Sequence, residues 1–336
     1  MTEPLKIIVP MAGFGKRLRP HTWSRPKPLV SAAGDTVLGH VLTTLKTAPN
    51  AQEAEMVFIV GYLGDQVQAY MKANYPEIKT HYVQQEELLG QSHAIAMARE
   101  HMQGPMLIVF VDTVIDTNFS FLDDEEADAV IWVKEVEDPR RFGVVELDNA
   151  GMVQGLIEKP DDVSNNLAIV GIYYFKRGED LLATIDEQIS QGVQTKNEYF
   201  LADAIDMMLK KGLKLRPETV NVWLDAGVPE TVLRTNRHLL DGGRDNSAEA
   251  SKRAGVDIRP PVFIHPSAKV ESSTIGPYVS IGRDCDVQGS SIENSVLEAA
   301  VQLKDSELKD SLLGERSQVA GMKGSLNLGD DSTVAA

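Results

Sequence analysis

Cysteine is nearly absent: Cys285 is the one example in 336 residues, so no intrachain disulfide and no all-thiolate metal cage can form. Basic residues are also in deficit, with 33 Lys and Arg against 49 Asp and Glu and a formal net charge of −16. That balance argues against a dedicated nucleic-acid or anionic-membrane binder, because both need a basic surface. An anionic small-molecule substrate stays open if Lys and Arg are gathered locally, with a metal ion to help. No stretch approaches the ~20 apolar residues of a membrane span. The first nine residues are too short and polar for a signal peptide, so a cytoplasmic location is expected. What is present is an ordinary globular balance, 43% hydrophobic and 24% charged, in a chain long enough for two domains or one large domain with an appendage.

Leu5 to Val9 (LKIIV) reads as a buried strand running into a glycine turn. Val37, Leu38, Val41, Leu42 and Leu45 form one helical stripe. Met56–Val60 and Met106–Val111 read as further strands, with helices expected around Val67 to Met71 and over His93–Met102. Strands alternating with helices indicate parallel βαβ units with right-handed crossovers. Val130–Val133, Val144–Leu147 and Ile169–Phe175 then follow with fewer helices between them, which predicts a partly antiparallel extension. Asp241 to Val256 is polar and Gly-rich and reads as a linker. Beyond it Ile264, Val270, Ile275, Ile281 and Val287 recur every five or six residues, with Gly276, Gly282 and Gly289 between them, the period of a parallel β-helix. The boundaries expected are a first domain over 1–240, a linker over 241–262, a β-helix over 263–324 and a frayed tail over 325–336.

The segment Pro10 to Pro28, PMAGFGKRLRPHTWSRPKP, concentrates the chemistry. Gly13 and Gly15 follow a strand, but Leu18 stands where a dinucleotide fingerprint needs glycine, and the P-loop pattern is absent. What remains is a glycine turn loaded with Lys16, Arg17 and Arg19, with Lys27 between two prolines. Glycines let backbone N–H groups approach phosphate oxygens, and Arg and Lys neutralise their charge. Asp112 and Asp225 each end an apolar strand, and in open α/β sheets ligands gather outside the carboxyl ends of strands. Taken singly, each aspartate reads as an N-cap or turn residue.

With these residues in view, the chain resembles the sugar-1-phosphate nucleotidylyltransferases, or NDP-sugar pyrophosphorylases, in the long form that carries a left-handed β-helix. The resemblance rests on Gly13, Gly15, Arg17, Leu18 and Pro20, on the PKPL run Pro26 to Leu29, and on both aspartates. It covers about the first 240 residues, with departures at Lys16 and at Val111, where the family usually has Thr or Ser and Gly. The resemblance implies a Rossmann-like α/β fold with a mixed, mainly parallel sheet followed by a short left-handed parallel β-helix. It further implies that Arg17, Lys27 and Asp112 are catalytic and that Asp112 and Asp225 hold Mg²⁺. Ala12, Gly13, Gly15, Lys16, Gln85 and Gly90 would bind the nucleotide, Gln85 at the base edge. DPRRFGVVELD and the Glu158-Lys159-Pro160 turn resemble family segments that bind the sugar phosphate, which implies that role for Gly143, Glu158, Lys159, Gly171 and Tyr173. Glu198 and Asp203 echo a weaker acidic motif.

The implied reaction joins a sugar 1-phosphate, with glucose 1-phosphate preferred, to UTP or dTTP, giving an NDP-sugar and pyrophosphate. Two other readings stand beside it: a non-catalytic sugar-nucleotide sensor or scaffold of the same fold, and a guanylyl- or adenylyltransferase of the same family. The substrates are the expected partners, together with further copies of the chain joined through the β-helix. The segment after Asp241 is expected to assemble the enzyme and to take no part in chemistry, since an array this short leaves open ends.

Overall fold

A computed structural model of the chain describes residues 3–111 and 113–336, so Asp112, expected above to hold a metal, lies outside the described residues. The chain forms two compact units, one from Met1–Gly13 and Val41–Trp223, the other from Phe14–His40 and Leu224–Ala336. These units cut across the boundary expected at residue 240, because the segment that opens with Phe14 packs with the C-terminal part of the chain.

The first unit is built on a nine-stranded sheet. Lys6–Pro10 is flanked in parallel by Glu55–Val60 and Met106–Val109, and Lys79–Gln84 adds a further parallel strand at the edge. These central strands are near-continuous apolar runs because helices cover both faces of a parallel sheet. Leu167–Phe175 then joins antiparallel to Met106–Val109, Ala129–Glu135 and Gly143–Leu147, while Val153–Glu158 completes that side. The antiparallel extension therefore stands where the sequence places it. Ile8, Val57, Ile108, Ile131 and Phe175 share one core with Leu181 and Ile185 of the helix Gly178–Ser190 and with Leu201 and Ile205 of the helix Leu201–Lys210. The helix Val37–Leu45 has the bounds its apolar stripe predicts. The helix expected over His93–Met102 is instead Gln91–Met97 followed by a tighter turn at Arg99–His101, interrupted at Ala98.

In the second unit the chain winds into a left-handed parallel β-helix of three five-stranded sheets. Register partners stack one aliphatic residue on the next: Val270, Val287, Leu303, Val319 and Val334 in one sheet, and Ile264, Ile281, Leu297, Leu313 and Leu328 in another. Corner serines form a second ladder, in which Ser273 Oγ accepts from Ser290 N, Ser290 Oγ from Ser306 N and Ser306 Oγ from Met322 N, each at 3.1 Å.

Two expectations need correction here. The segment read as a loose linker contains helical turns at Leu240–Arg244 and Ser247–Ala250. Its polar residues close the open edge of the first coil: Val262 N donates to Asp245 Oδ1, and Ile264 N donates to Asn246 Oδ1 while Asn246 Nδ2 donates back to Ile264 O. A composition suited to solvent also suits the unpaired N–H and C=O groups of a strand edge. The tail expected to fray forms Asn327–Leu328 and Thr333–Ala335, which pair with Leu312–Leu313 and Gln318–Ala320 and complete the last coil.

Candidate functional site

In the second unit the glycine turn is held by its own residues. Gly15 sits in the left-handed region at φ 59°, where the absent Cβ would lie 3.0 Å from Thr22 Cγ2 and 3.3 Å from Lys27 Cβ. Thr22 Oγ1 donates to Gly15 O at 2.8 Å, which folds the turn against the 3-10 helix His21–Trp23. Lys16, Arg17 and Arg19 point into solvent, Lys16 over the Phe14 ring at 5.7 Å and Arg19 over Trp23 at 5.8 Å. Arg17 and Asp225 meet at a residue that sequence reasoning missed. A Cβ on Gly227 would lie 2.7 Å from Asp225 Oδ1 and 3.2 Å from Arg17 Nη2, so the two charged groups converge on the space this glycine leaves open. The signal for it was the Asp225-Ala226-Gly227 run, two small residues directly after the acid.

In the first unit Pro10, Val60, Gln84 and Val109 are the carboxyl ends of parallel strands. Ala12 follows the first of them, buried, and its carbonyl lies 2.6 Å from where a Cβ on Gly61 would stand. Gly13 is exposed with open space at its missing Cβ. Gln85 is buried, and its Nε2 donates to Glu87 O at 3.0 Å. Gly90, at φ 120°, has its open face 2.5 Å from Tyr199 N, so the close approach it permits is to protein backbone.

The residues expected around the sugar phosphate divide into two groups. Gly143, Glu158 and Lys159 come together: a Cβ on Gly143 would meet Glu158 Oε2 at 3.0 Å, and Lys159 Nζ lies 3.7 Å from Glu158 Oε1 and 4.2 Å from the centre of the Phe200 ring. Burial raises the pKa of Glu158 above its ordinary value, opposed by Lys159 and reinforced by Asp203. Burial also raises that of Asp203, whose Oδ1 accepts from Thr195 Oγ1 at 3.2 Å while Oδ2 is buried with no partner among the described residues. An unpaired carboxylate oxygen in low dielectric is costly, and such groups mark places where a ligand supplies the missing donor. Gly171 and Tyr173 stand on the strand Leu167–Phe175, and burial together with the charge of Glu158 raises the pKa of the Tyr173 phenol. Gly171, at φ 93°, lies in a register irregularity of Leu167–Phe175 and accepts from Phe110 N, whereas Tyr173 is buried in the core, its ring 6.4 Å from Phe110. Glu198 is exposed.

Glu55, His81 and His101 also bring potential metal-ligand atoms within 4.8 Å of one another. Here, however, the carboxylate already has partners: Lys79 at 2.6 Å, Lys6 at 2.9 Å and His81 at 2.9 Å, and the lysine bond leads the causes that push its pKa down to about 2. Glu55, Lys6 and Lys79 open their strands, at the amino ends, away from the carboxyl ends where α/β sheets bind ligands.

The Nucleotidyl transferase family matches residues 6–242. The low-salt glycan biosynthesis nucleotidyltransferase Agl11 of Haloferax volcanii is 30% identical over 94% of this chain and 94% of its own length. A glucose-1-phosphate thymidylyltransferase of Streptomyces griseus is 27% identical over 94% of this chain and 93% of its own. The bifunctional protein GlmU of Methanocaldococcus jannaschii is 33% identical over 70% of this chain, which spans about half of that relative (54%). Among solved structures, UDP-glucose pyrophosphorylase complexed with UDP-glucose superposes with a TM-score of 0.61 over 71% of this chain and 99% of its own, at 18% identity, a likeness of fold alone.

Proposed function

The chain belongs to the nucleotidyl transferase family, and on that premise we propose that it joins a sugar 1-phosphate to a nucleoside triphosphate, giving an NDP-sugar and pyrophosphate. Glucose 1-phosphate with UTP or dTTP is the preferred pair; the name of the Streptomyces griseus relative supports the sugar phosphate and the thymidine nucleotide. The phosphate oxygen of the sugar attacks the α-phosphorus, the bond to the β,γ-unit breaks, and pyrophosphate leaves. Catalysis of this kind rests on positioning and on charge stabilisation.

The observation that carries the reading is the convergence of Arg17 and Asp225 on Gly227, a cation and a carboxylate beside a glycine turn. We assign Arg17, Lys16 and Lys27 to the phosphates of the nucleotide and Gln85 to its base. Glu158, Lys159 and Asp203 go to the sugar phosphate, Asp203 Oδ2 accepting from a hydroxyl it now lacks. Asp225 offers a hard oxygen donor of the kind Mg²⁺ takes together with substrate phosphates and water. It would hold that ion with Asp112, and the ion would neutralise triphosphate charge when bound. Among the described residues no helix is long and apolar enough to cross a membrane; we place the enzyme in the cytoplasm and assign self-association to the β-helix. Pyrophosphate release over a grid of nucleotides and sugar phosphates with Mg²⁺ tests the proposal. Turnover with glucose 1-phosphate and UTP or dTTP is expected, and Arg17→Ala should lower kcat more than it raises KM. Silence with every pair would favour the sensor or scaffold.

A further inference from the structure

Arg25 carries a cationic charge that the proposed chemistry does not use. Two residues before Lys27, it is 13% exposed and turns into the β-helix. Its Nη1 donates to Glu298 Oε2 at 2.7 Å and its Nη2 to Glu315 Oε2 at 3.0 Å, with Asp330 Oδ2 at 3.6 Å. Burial opposes its charge, and Glu298, Asp330 and Glu315 outweigh that opposition, so the pKa rises. Glu298, 5% exposed, also accepts from Ser31 N at 2.8 Å and Ser31 Oγ at 2.7 Å. Its position in the coil is telling. The residues that follow the register partners Ile264, Ile281, Leu297, Leu313 and Leu328 are His265, Gly282, Glu298, Gly314 and Gly329. After the first coil a column of glycines thus carries one carboxylate, at the coil where it meets Arg25 and Ser31.

The same face meets the loop elsewhere. A Cβ on Gly329 would stand 3.0 Å from Pro20 Cβ. His21 Nε2 pairs with Asn327 Oδ1 at 2.6 Å, and Ser24 Oγ donates to Asp330 Oδ2 at 2.8 Å. The Phe263 ring lies 2.4 Å from the Cβ that Gly34 lacks. The attachments therefore bracket Lys27 on both sides, and they follow Arg17 by only a few residues.

We infer that this face of the β-helix is a positioning platform for the phosphate loop, with Glu298 and Arg25 as positioning residues that set where Arg17 and Lys27 stand. This rests on the nucleotidyl-transfer reading above and replaces the expectation that the segment after Asp241 serves assembly alone. A buried, fully partnered ion pair fixes geometry more than it adds stability, and a displacement of ~1 Å at a distant support can cost about a hundredfold in rate.

The test compares full-length wild type, Glu298→Gln and Glu307→Gln. The last removes a carboxylate that pairs with Lys323 on the exposed surface of the same β-helix. Steady-state kinetics with glucose 1-phosphate and UTP or dTTP are read alongside amide hydrogen exchange over residues 14–31. For Glu298→Gln we expect kcat to fall about tenfold, with KM for the sugar phosphate within about twofold, and exchange in 14–31 to rise about tenfold while β-helix amides hold. Glu307→Gln should match wild type in both. Should Glu298→Gln fail to fold, Arg25→Lys, which keeps the charge and loses the fork, is expected to move both readouts about threefold. Unchanged exchange in 14–31 would overturn the platform, as would faster exchange with unchanged kcat. Wild type silent with every substrate pair would overturn the reaction instead, and the exchange measurement alone would then decide whether the β-helix holds the loop.

Discussion

Among the described residues, the carboxylates gathered at Arg25 and those gathered at half-buried Glu158 are built to opposite ends. Around Arg25, Glu298 meets donors from the guanidinium and from Ser31, and Asp330 meets Ser24. At Glu158, the Lys159 cation stands only at 3.7 Å, and Asp203, whose charge reaches Glu158, keeps one buried oxygen without a partner among the described residues. A satisfied network in low dielectric rigidifies, whereas an incomplete one stores free energy that a ligand with donors can recover. The difference is the one expected if, as proposed, the first cluster is a support and the second receives a ligand.

The largest expected effect sharpens the proposed reaction. Asp225→Asn should keep the fold, by circular dichroism, and lose about 10²- to 10³-fold in kcat, because a charge aimed at the triphosphate is gone. Values for the variant within a few-fold of wild type would remove Asp225 from the chemistry. Next, Arg25→Ala leaves Glu298, Glu315 and Asp330 facing one another and should cost about 3 kcal/mol of stability by denaturant titration. A loss no greater than that of an exposed pair would erase the contrast between the two clusters.

Asp203→Asn should act in the opposite sense on stability. Burial raises the folded pKa of Asp203, so its favourable contribution is complete below the unfolded value of 3.8 and is lost as pH rises through the folded value. A neutral amide should therefore stabilise the protein at pH 7, while raising KM for the sugar phosphate about tenfold. Loss of stability and unchanged KM would make Asp203 structural. The smallest effect lies at Glu55. Its folded pKa is depressed from 4.5 to about 2, so its contribution is present above pH 4.5 and is lost as pH falls toward 2. Melting scans between those limits should show Glu55→Gln losing less stability on acidification than wild type, by about 1 kcal/mol; parallel curves would contradict the lysine pairing.

Much of this was legible in the chain. The run Ile7, Ile8 and Val9, the stripe from Val37 to Leu45 and the spacing from Ile264 to Val287 announced a parallel sheet, a helix and a β-helix, since periodicity follows from local backbone geometry. The glycine turn with Arg17 and Lys27 was legible for the same reason: a strand end, a turn and their charges are neighbours in sequence.

What the sequence determined by itself was therefore whatever depends on residues a few positions apart. Tertiary structure decided the rest. Asp245 and Asn246 read as solvated linker until the edge of Val262–Ile264 stands beside them. Gly227 matters only because folding brings Arg17 to the acid two residues before it. Arg25 and Glu298 lie 273 positions apart, and nothing in the chain marks them as a pair. Hydrogen bonding and charge act over a few ångströms in space whatever the separation along the backbone, so only the fold can say which polar groups share a low-dielectric contact.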